Sequence, residues 1–348
     1  MKTEIQLRKT TLSGELVETI YFGGGTPSLL SVIELEALLT EIRQHYSVSA
    51  TPEITLEVNP DDVVFENGTS VELFKAYKAI GINRLSIGVQ SFFAEDLKAM
   101  NRAHNAHEAH ACLAEASKHF ENISIDLIYG IPNMSLERWQ KNLQTAFDAG
   151  VSHISSYALT VEPKTALASF IKKGSYPALS DALAASHFDA LVSATEQHGF
   201  VQYEISNFGK PGYFSKHNTS YWLGKKYIGF GPSAHSYNKT HRSWNIANNT
   251  RYIKSLEKGL LPSENEALTK NDRLNEYIMT GLRTVWGVSF QKIQEEFGDV
   301  IAENLKKSAQ KFITEGLLCV AENTLKTTSK GKFLADGLAS ELFVVTPL

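Results

Sequence analysis

Strand-like runs alternate with helix-like segments through the first 160 residues, and this alternation constrains the fold more than any other feature. The runs are rich in Val, Ile, Leu and Tyr, are bounded by Gly, Pro or Asn, and span residues 17–22, 54–58, 84–89, 123–129 and 153–159. Between them lie segments with apolar residues at helical spacing. Strands and helices that alternate at roughly 30-residue spacing predict right-handed βαβ units and a parallel sheet.

The absence of one glycine pattern indicates which kind of parallel sheet to expect. No Gly-x-Gly-x-x-Gly fingerprint of a dinucleotide-binding sheet occurs, which favours a barrel or partial barrel over a doubly wound sheet. The tail is different, because three helical patterns precede a hairpin-like pair of strands at 318–320 and 325–327. We therefore expect an α/β chain with a barrel-like domain over residues 1–262 and a winged-helix-like domain over residues 263–348.

The N-terminal segment allows two interpretations. Residues 4–9 have the pattern of the last turns of a helix, which Gly14 would end. In the first interpretation, the barrel begins in the tail of a helix because the strand before that helix has been lost. In the second, these residues are an ordinary frayed chain terminus. The residues alone leave the two interpretations equal.

Charge argues against several classes of partner. The chain has 34 Lys and Arg against 38 Asp and Glu, a formal net charge of −4, and residues 264–348 carry a net charge of −2. Nucleic acid and anionic membrane surfaces are therefore poor partners, even for a winged-helix-like tail. Neither a signal peptide nor an apolar stretch of about 18 residues is present. We expect a cytoplasmic chain without a transmembrane segment.

Metal-ligating side chains are scarce in this sequence. Only two cysteines occur, Cys112 and Cys319, and each lies in an apolar stretch that predicts a small buried side chain. Two cysteines exclude a disulfide framework and any metal site built from three or four cysteines of this chain. The histidines His104, His107 and His110 are more typical of a solvated first helical turn than of a metal site.

Polar and small residues lie at the ends of the predicted strands. Residues 23–26 follow the first strand, Glu57 lies in the second, Gln90 ends the third and Asp126 lies inside the fourth. In a parallel barrel these positions converge on one rim, where active sites are found. Either carboxylate taken singly is equally explained by bonds to loop amides, but the set favours a ligand site. The consecutive glycines would let a ligand approach the backbone closely.

The motifs at these strand ends resemble, together and in order, those of the radical S-adenosylmethionine (SAM) proteins of the oxygen-independent coproporphyrinogen III oxidase group. The resemblance covers essentially the whole chain and implies a TIM-like (β/α)6 barrel, here without its first strand. It is carried by Tyr-Phe-Gly-Gly-Gly-Thr-Pro-Ser at 21–28, Glu-Val-Asn-Pro at 57–60, Ser-Ile-Gly-Val-Gln-Ser-Phe at 86–92, Asn-Arg-Ala-His at 101–104 and Ile-Asp-Leu-Ile-Tyr-Gly-Ile-Pro at 125–132.

A further segment at 217–222 indicates the subgroup. It matches the His-Asn-x-x-Tyr-Trp signature that separates the heme chaperones of this group from the oxidases. From the residues alone, an aromatic cluster that packs the barrel against the tail is the simpler interpretation. The resemblance instead implies that His217 is an axial heme ligand, with Tyr221 and Trp222 beside the heme.

The resemblance also implies a SAM site and a set of partners. The residues that would contact SAM are Gly24, Gly25, Thr26, Glu57, Gln90, Arg102 and Asp126. The glycines and the threonine would face the methionine end of SAM, and the arginine would pair with its carboxylate. The three remaining side chains would bond to its ammonium or ribose groups. The implied partners are heme or another porphyrin and a heme-accepting protein.

One feature of the group is missing from this sequence. Members of the group hold a [4Fe-4S] cluster on a Cys-x3-Cys-x2-Cys motif at the end of the first barrel strand, and no such motif occurs here. We therefore expect no cluster and no radical activity from this chain. Loss of an N-terminal strand explains the gap better than a natural cluster-less relative does, because the SAM-contacting positions are intact.

Three functions are compatible with these observations. The expected one is that of a heme chaperone that binds heme and SAM. The first alternative is an oxygen-independent coproporphyrinogen III oxidase of porphyrin biosynthesis, whose substrate carries several carboxylates. The second is a cluster-less scaffold that only binds a porphyrin or a partner.

Overall fold

The computed structural model describes residues 1–65, 68–69, 71–174 and 176–345. Its strands are β1 (Val17–Phe22), β2 (Val48–Val58), β3 (Val64–Phe65), β4 (Gly68–Thr69), β5 (Arg84–Gln90), β6 (Ile123–Tyr129), β7 (His153–Ala158), β8 (Val201–Glu204), β9 (Asn207–Gly209), β10 (His235–Tyr237), β11 (His241–Asn245), β12 (Ser263–Ala267), β13 (Val288–Ser289), β14 (Leu318–Ala321) and β15 (Thr324–Thr327). All five strands predicted in the first 160 residues are present, and β2 begins earlier than expected.

The helices fill the segments between these strands. They are α1 (Lys2–Leu7), α2 (Val32–His45), α3 (Pro60–Val63), α4 (Val71–Ala79), α5 (Ala94–Ala99), α6 (Ala106–His119), α7 (Leu136–Asp148), α8 (Ala166–Lys172), α9 (Asp181–Gln197), α10 (Lys216–Trp222), α11 (Asn249–Glu257), α12 (Lys270–Leu282), α13 (Phe290–Phe297), α14 (Asp299–Thr314) and α15 (Ala335–Glu341). Within the described ranges, no helix has the length and apolar character needed to cross a membrane.

Internal contacts divide the chain into two compact units. The barrel unit comprises residues 20–32 and 53–214, and the accessory unit comprises residues 1–19, 33–52 and 215–348. The main sheet has the strand order β1-β2-β5-β6-β7-β9-β8, in which β2, β5, β6 and β7 are parallel and β9 and β8 are antiparallel. This topology confirms the predicted α/β partial barrel. The domain boundary between residues 262 and 263 stays a prediction.

The strands of the barrel unit have one apolar and one polar face, because successive side chains of a strand point to opposite sides of a sheet. The apolar face is fully buried and includes Leu56, Leu85, Ile87, Ile125 and Ile154. On the polar face, the register aligns Glu57, Ser86, Ser124 and His153 in one row across four strands. Buried polar groups are costly without partners, and this face is therefore where a ligand site is expected.

On this polar face, the buried side chain of His153 has its hydrogen-bond partners within the protein. Its Nδ1 lies 2.7 Å from Ser124 Oγ, and its Nε2 lies 2.7 Å from the hydroxyl of Tyr203. Burial, with a smaller contribution from the Arg84 charge, holds the pKa of His153 well below its ordinary value. The neutral ring thus links β6, β7 and β8.

The start of α6 confirms one predicted helix cap and corrects one interpretation. The Asn105 side chain accepts a bond from the Glu108 amide at 3.0 Å, and Glu108 accepts one from the Asn105 amide at 2.8 Å. His104 is buried and not solvated, and its Nε2 lies 3.0 Å from the carbonyl oxygen of Val89. The interpretation was wrong for His104, which precedes the cap and contacts the end of β5, whereas His107 and His110 are exposed as expected.

The accessory unit contains helix α1 and the antiparallel sheet β10-β11-β12. Helix α1 is anchored and not frayed, since Glu4 and Ile5 are both almost fully buried. The frayed-terminus alternative is therefore wrong for these residues.

The C-terminal part of the accessory unit has the predicted winged-helix-like arrangement. Helices α12–α15 surround the small antiparallel sheet β13-β15-β14. They share an apolar core whose members include Leu274, Ile278, Leu282, Ile293, Leu305 and Leu325. This confirms the expected combination of a partial barrel with a winged-helix-like tail.

Candidate functional site

The loop after β1 is built around one carboxylate. Glu57 Oε1 accepts a hydrogen bond from the Tyr21 hydroxyl at 2.7 Å, and Oε2 accepts one from the Gly24 amide at 3.1 Å. A Cβ at Gly23 would lie 2.3 Å from Tyr21 Cε1, so only glycine fits there. Gly24 and Gly25 have φ angles of 73° and 68°, which side chains disfavour. Glu57 therefore holds a loop amide, the alternative that the sequence left open.

The end of β5 forms a second polar cluster. Gln90 has a φ of 62° and lies beside a register shift between β5 and β6, which redirects its side chain. A Cβ at Gly88 would lie 3.0 Å from Gln90 Nε2 and 3.3 Å from Asn59 Oδ1. Arg102 Nη2 donates to Asn59 Oδ1 at 3.4 Å. The bare backbone of Gly88 is thus surrounded by amide and guanidinium groups, which suit a polar ligand.

Asp126 is the acid on the polar face of β6. Its Oδ1 accepts a long hydrogen bond from Ser86 Oγ at 3.5 Å. Burial and the neighbouring Glu57 carboxylate raise the pKa of Asp126 to about 7, in spite of the opposing effects of Arg84, Ser155 and Ser86. A carboxyl group whose charge changes near neutral pH is a candidate for ligand binding.

All seven predicted SAM residues lie in the barrel unit: six are on neighbouring strands or in the loop after β1, and Arg102 lies between α5 and α6. The Gly24 amide donates a hydrogen bond to the Glu57 carboxylate. Thr26 precedes a short 3-10 helix at Pro27–Leu29. Sequence reasoning missed Tyr21 and Asn59, which position Glu57 and Arg102. Asn59 could have been included as an amide that directly follows a strand. The assignment of the set to SAM stays a prediction.

The residues present do not fit a [4Fe-4S] cluster. Cys112 is fully buried in α6, and Cys319 is half-buried on β14. Burial raises the pKa of Cys112 to about 12, which opposes the thiolate that iron ligation requires. Within the part of the chain that the structure describes, no three His, Cys, Asp or Glu side chains are grouped to hold a metal ion. The described residues thus offer no ligand set for a cluster.

His217 lies in the accessory unit on the short helix α10. Ser215 caps this helix, because its side chain accepts a hydrogen bond from the Asn218 amide at 3.2 Å. Thr19 Oγ1, on β1, lies 3.0 Å from His217 Nδ1. The four-residue spacing places Tyr221 on the same helix face, with the two ring centroids 5.0 Å apart. A hydrogen bond to one ring nitrogen is the kind of contact that fixes the orientation of metal-ligating histidines.

Trp222 has a different environment. It lies about 100° further round the helix than Tyr221, and the Arg283 guanidinium lies over its ring at 5.2 Å from the centroid. Arg283 also bonds Asp336 of α15 at 2.5 Å. This contact joins α10 to the C-terminal helices within the accessory unit. The predicted place of Trp222 beside heme stays a prediction.

Comparisons with known proteins identify the family. The sequence matches the Radical SAM superfamily over residues 5–146 and the HemN C-terminal domain over residues 268–334. The heme chaperone HemW of Bacillus subtilis is 35% identical over 324 residues, which cover 92% of this chain and 84% of that protein. The heme chaperone HemW of Mycobacterium tuberculosis (strain H37Rv) is 32% identical over 344 residues, which cover 98% of this chain and 85% of that protein.

A solved structure shows the same fold. The coproporphyrinogen III oxidase HemN of Escherichia coli, a radical SAM enzyme, superposes with a TM-score of 0.82 over 99% of this chain and 82% of that chain. Its sequence is 23% identical, so this likeness establishes the fold alone. The subgroup follows from the sequence relatives, which are more than 30% identical over most of their length. This chain therefore belongs to the HemW heme chaperone family of the radical SAM superfamily.

Proposed function

We propose that this chain is a heme chaperone that holds heme through His217, binds SAM at the polar loops of the barrel unit and passes heme to an acceptor protein. Family membership supports the class of function, because the relatives are themselves named heme chaperones. The oxidase alternative requires a radical reaction. The sequence holds two cysteines, and among the described residues no three His, Cys, Asp or Glu side chains are grouped to hold the cluster on which that reaction depends.

The contact between His217 and Thr19 carries the proposal. Thr19 Oγ1 lies 3.0 Å from His217 Nδ1, and if it accepts the Nδ1 proton, Nε2 would be the nitrogen that faces the iron. The hydroxyl would then set both the tautomer and the orientation of the ring. Tyr221, which is 40% exposed, places an aromatic ring beside the imidazole.

The proposed SAM site uses the groups of the barrel unit. SAM would supply a sulfonium-linked methionine and an adenosine, both rich in hydrogen-bonding groups. Arg102 would pair with the methionine carboxylate, and the exposed backbone of Gly25 would face the same end, since the Gly24 amide donates to Glu57. Asp126 and Gln90 would bond to the ribose or the ammonium group. Glu57 would act chiefly by holding the Gly24 loop in place.

Changing Thr19 should alter heme binding through His217. Thr19→Val keeps the shape of the side chain but removes the hydroxyl, and we expect an approximately tenfold weaker affinity for hemin and a shifted Soret band. Thr19→Ser keeps the hydroxyl and should bind hemin nearly as the wild type does. The measurement is a hemin titration followed by absorbance, with circular dichroism to check folding.

Two results would count against the proposal. A wild-type chain that produces no Soret shift on titration would remove heme binding altogether. Equal affinity and equal spectra for Thr19→Val and the wild type would show that the hydroxyl does not position His217.

A further inference from the structure

The small antiparallel sheet β10-β11-β12 of the accessory unit has two different edges. On the β10 edge, Tyr237 exchanges two backbone hydrogen bonds with Tyr227, at 2.9 and 3.0 Å, so the preceding chain covers that edge. On the other edge lies β12, and all five of its residues are exposed. A strand at an open edge presents backbone groups to which another chain can add.

Pairing with β11 uses only half of the backbone groups of β12. The Ile246 amide donates to the Pro262 carbonyl at 2.9 Å just before β12 begins, and the register pairs Glu264, two residues further on, with Trp244. Hydrogen-bonded and non-bonded pairs alternate along an antiparallel ladder. The alternation therefore directs outward, away from β11, the amides and carbonyls of Ser263, Asn265 and Ala267. Among the described residues, none of these outward groups has a hydrogen-bond partner.

Two carboxylates lie on one face of this edge. Glu264 and Glu266 are two residues apart on β12 and so point to the same side of the sheet. Both are exposed, and among the described side chains neither forms an ion pair. Arg242, the cross-strand partner of Glu266, pairs instead with Glu276 at 2.5 Å. Arg251 lines a cleft together with Glu264 without pairing with it.

The same carboxylates make a second copy of this chain a poor partner. Two β12 strands that pair about Asn265 would place Glu264 of each copy opposite Glu266 of the other. Like charges directly opposite one another destabilise a pair of strands, and charged side chains are a usual means by which proteins prevent open edges from pairing with themselves. A strand with Lys or Arg at alternate positions would instead place a cation opposite each carboxylate.

We propose that β12 is a docking edge for an extended basic segment of a partner protein, which adds as a fourth strand to the sheet β10-β11-β12. The outward groups of Ser263, Asn265 and Ala267 would form the backbone hydrogen bonds. Glu264 and Glu266 would select Lys or Arg at alternate positions of the segment. Strand addition of this kind takes affinity from the main chain and specificity from alternate side chains. The proposal does not depend on heme or SAM binding.

The test uses a synthetic peptide, acetyl-Thr-Lys-Val-Lys-Val-Thr-amide, added to the full chain while amide hydrogen exchange is measured. We expect the peptide to slow exchange at the amides of residues 263, 265 and 267. With each lysine opposite a glutamate of β12, the valine amides face the outward groups. The same peptide with N-methylated valines keeps its charge but cannot donate these hydrogen bonds, and it should give no protection.

Variants of the chain separate the backbone contribution from the charge contribution. In the double variant Glu264→Lys, Glu266→Lys, the lysine peptide should bind about tenfold more weakly, and acetyl-Thr-Glu-Val-Glu-Val-Thr-amide about tenfold more tightly, than to the wild type. Asn265→Pro removes an outward amide that the sheet does not use, and it should weaken binding about fivefold without a change in thermal unfolding. Glu295→Lys, at an exposed glutamate of α13, is the matched charge control and should bind as the wild type does.

Three results would overturn the proposal. The first is the absence of protection at residues 263, 265 and 267 when the lysine peptide is present. The second is equal binding of the N-methylated peptide, which would show attraction by charge without strand addition. The third is dimerisation of the wild type that protects these three amides, which would make a second copy the occupant of the edge.

Discussion

Asp126→Asn should make the folded chain more stable at pH 8 while it weakens SAM binding. Burial and the Glu57 carboxylate raise the pKa of Asp126 to about 7 from an ordinary 3.8. Between these values the folded state binds more protons than the unfolded state, so this group's contribution to stability is greatest at acid pH and is lost as the pH rises through 7. The difference between the two pKa values corresponds to a loss of up to about 4 kcal/mol in the free energy of unfolding above pH 7.

Asp126→Asn removes this pH-dependent loss of stability, because an asparagine side chain does not ionise. We expect its free energy of unfolding to equal that of the wild type near pH 4 and to exceed it by about 2 kcal/mol at pH 8, because part of the gain is lost with the bonds to Ser86 and Ser155. The measurement is urea unfolding of both proteins across this range. Asp189→Asn, on the exposed side of α9, is the control and should change nothing.

SAM affinity is the second measurement for this variant. If the carboxylate bonds the ribose or ammonium group, calorimetric titration should show SAM binding about tenfold weaker in Asp126→Asn at pH 8. A variant that is less stable than the wild type at pH 8, or that binds SAM equally well, would contradict the account of this residue. Gain of stability with loss of binding is the expected mark of a functional residue.

Glu4→Ala should produce the largest loss of stability. The buried Glu4 carboxylate accepts bonds from the Asn245 amide at 2.6 Å, the Gly231 amide at 2.9 Å and the Tyr252 hydroxyl at 2.5 Å. It also pairs with the buried Arg8. Removal of the carboxylate leaves the Arg8 charge buried without its acid, which costs about 3–5 kcal/mol.

The appropriate comparison is an ion pair on the surface of the same unit. Glu18 pairs with Lys225 at 2.6 Å, and both side chains are about half exposed, so Glu18→Ala should cost less than about 1 kcal/mol. Urea unfolding followed by tryptophan fluorescence measures both variants. Equal destabilisation by Glu4→Ala and Glu18→Ala would contradict the role of Glu4 as the anchor of α1.

The fold was predictable because its pattern is local. Alternating runs such as Ile123–Tyr129 and the cap at Asn105 depend on neighbours within a few residues, and the structure has them nearly where they were expected. The GlyGlyGly turn was also recognisable. The requirement for glycine at position 23 could not be predicted, because it depends on contacts with Tyr21 and Glu57, which lie on two different strands.

The parts of the site that escaped prediction depend on long-range contacts. The left-handed backbone of Gln90 arises at a register shift between β5 and β6, which no sequence window contains. Thr19 and His217 are 198 residues apart in the chain, so no local pattern could have shown that they meet.

Hemin titration of His217→Ala beside the wild type and His241→Ala tests the central claim most directly. We expect His217→Ala to bind one heme fewer than the wild type and to lose the corresponding part of the Soret change, while His241→Ala, at an exposed histidine of the same unit, matches the wild type. Identical stoichiometry and spectra for all three proteins would contradict heme binding through His217.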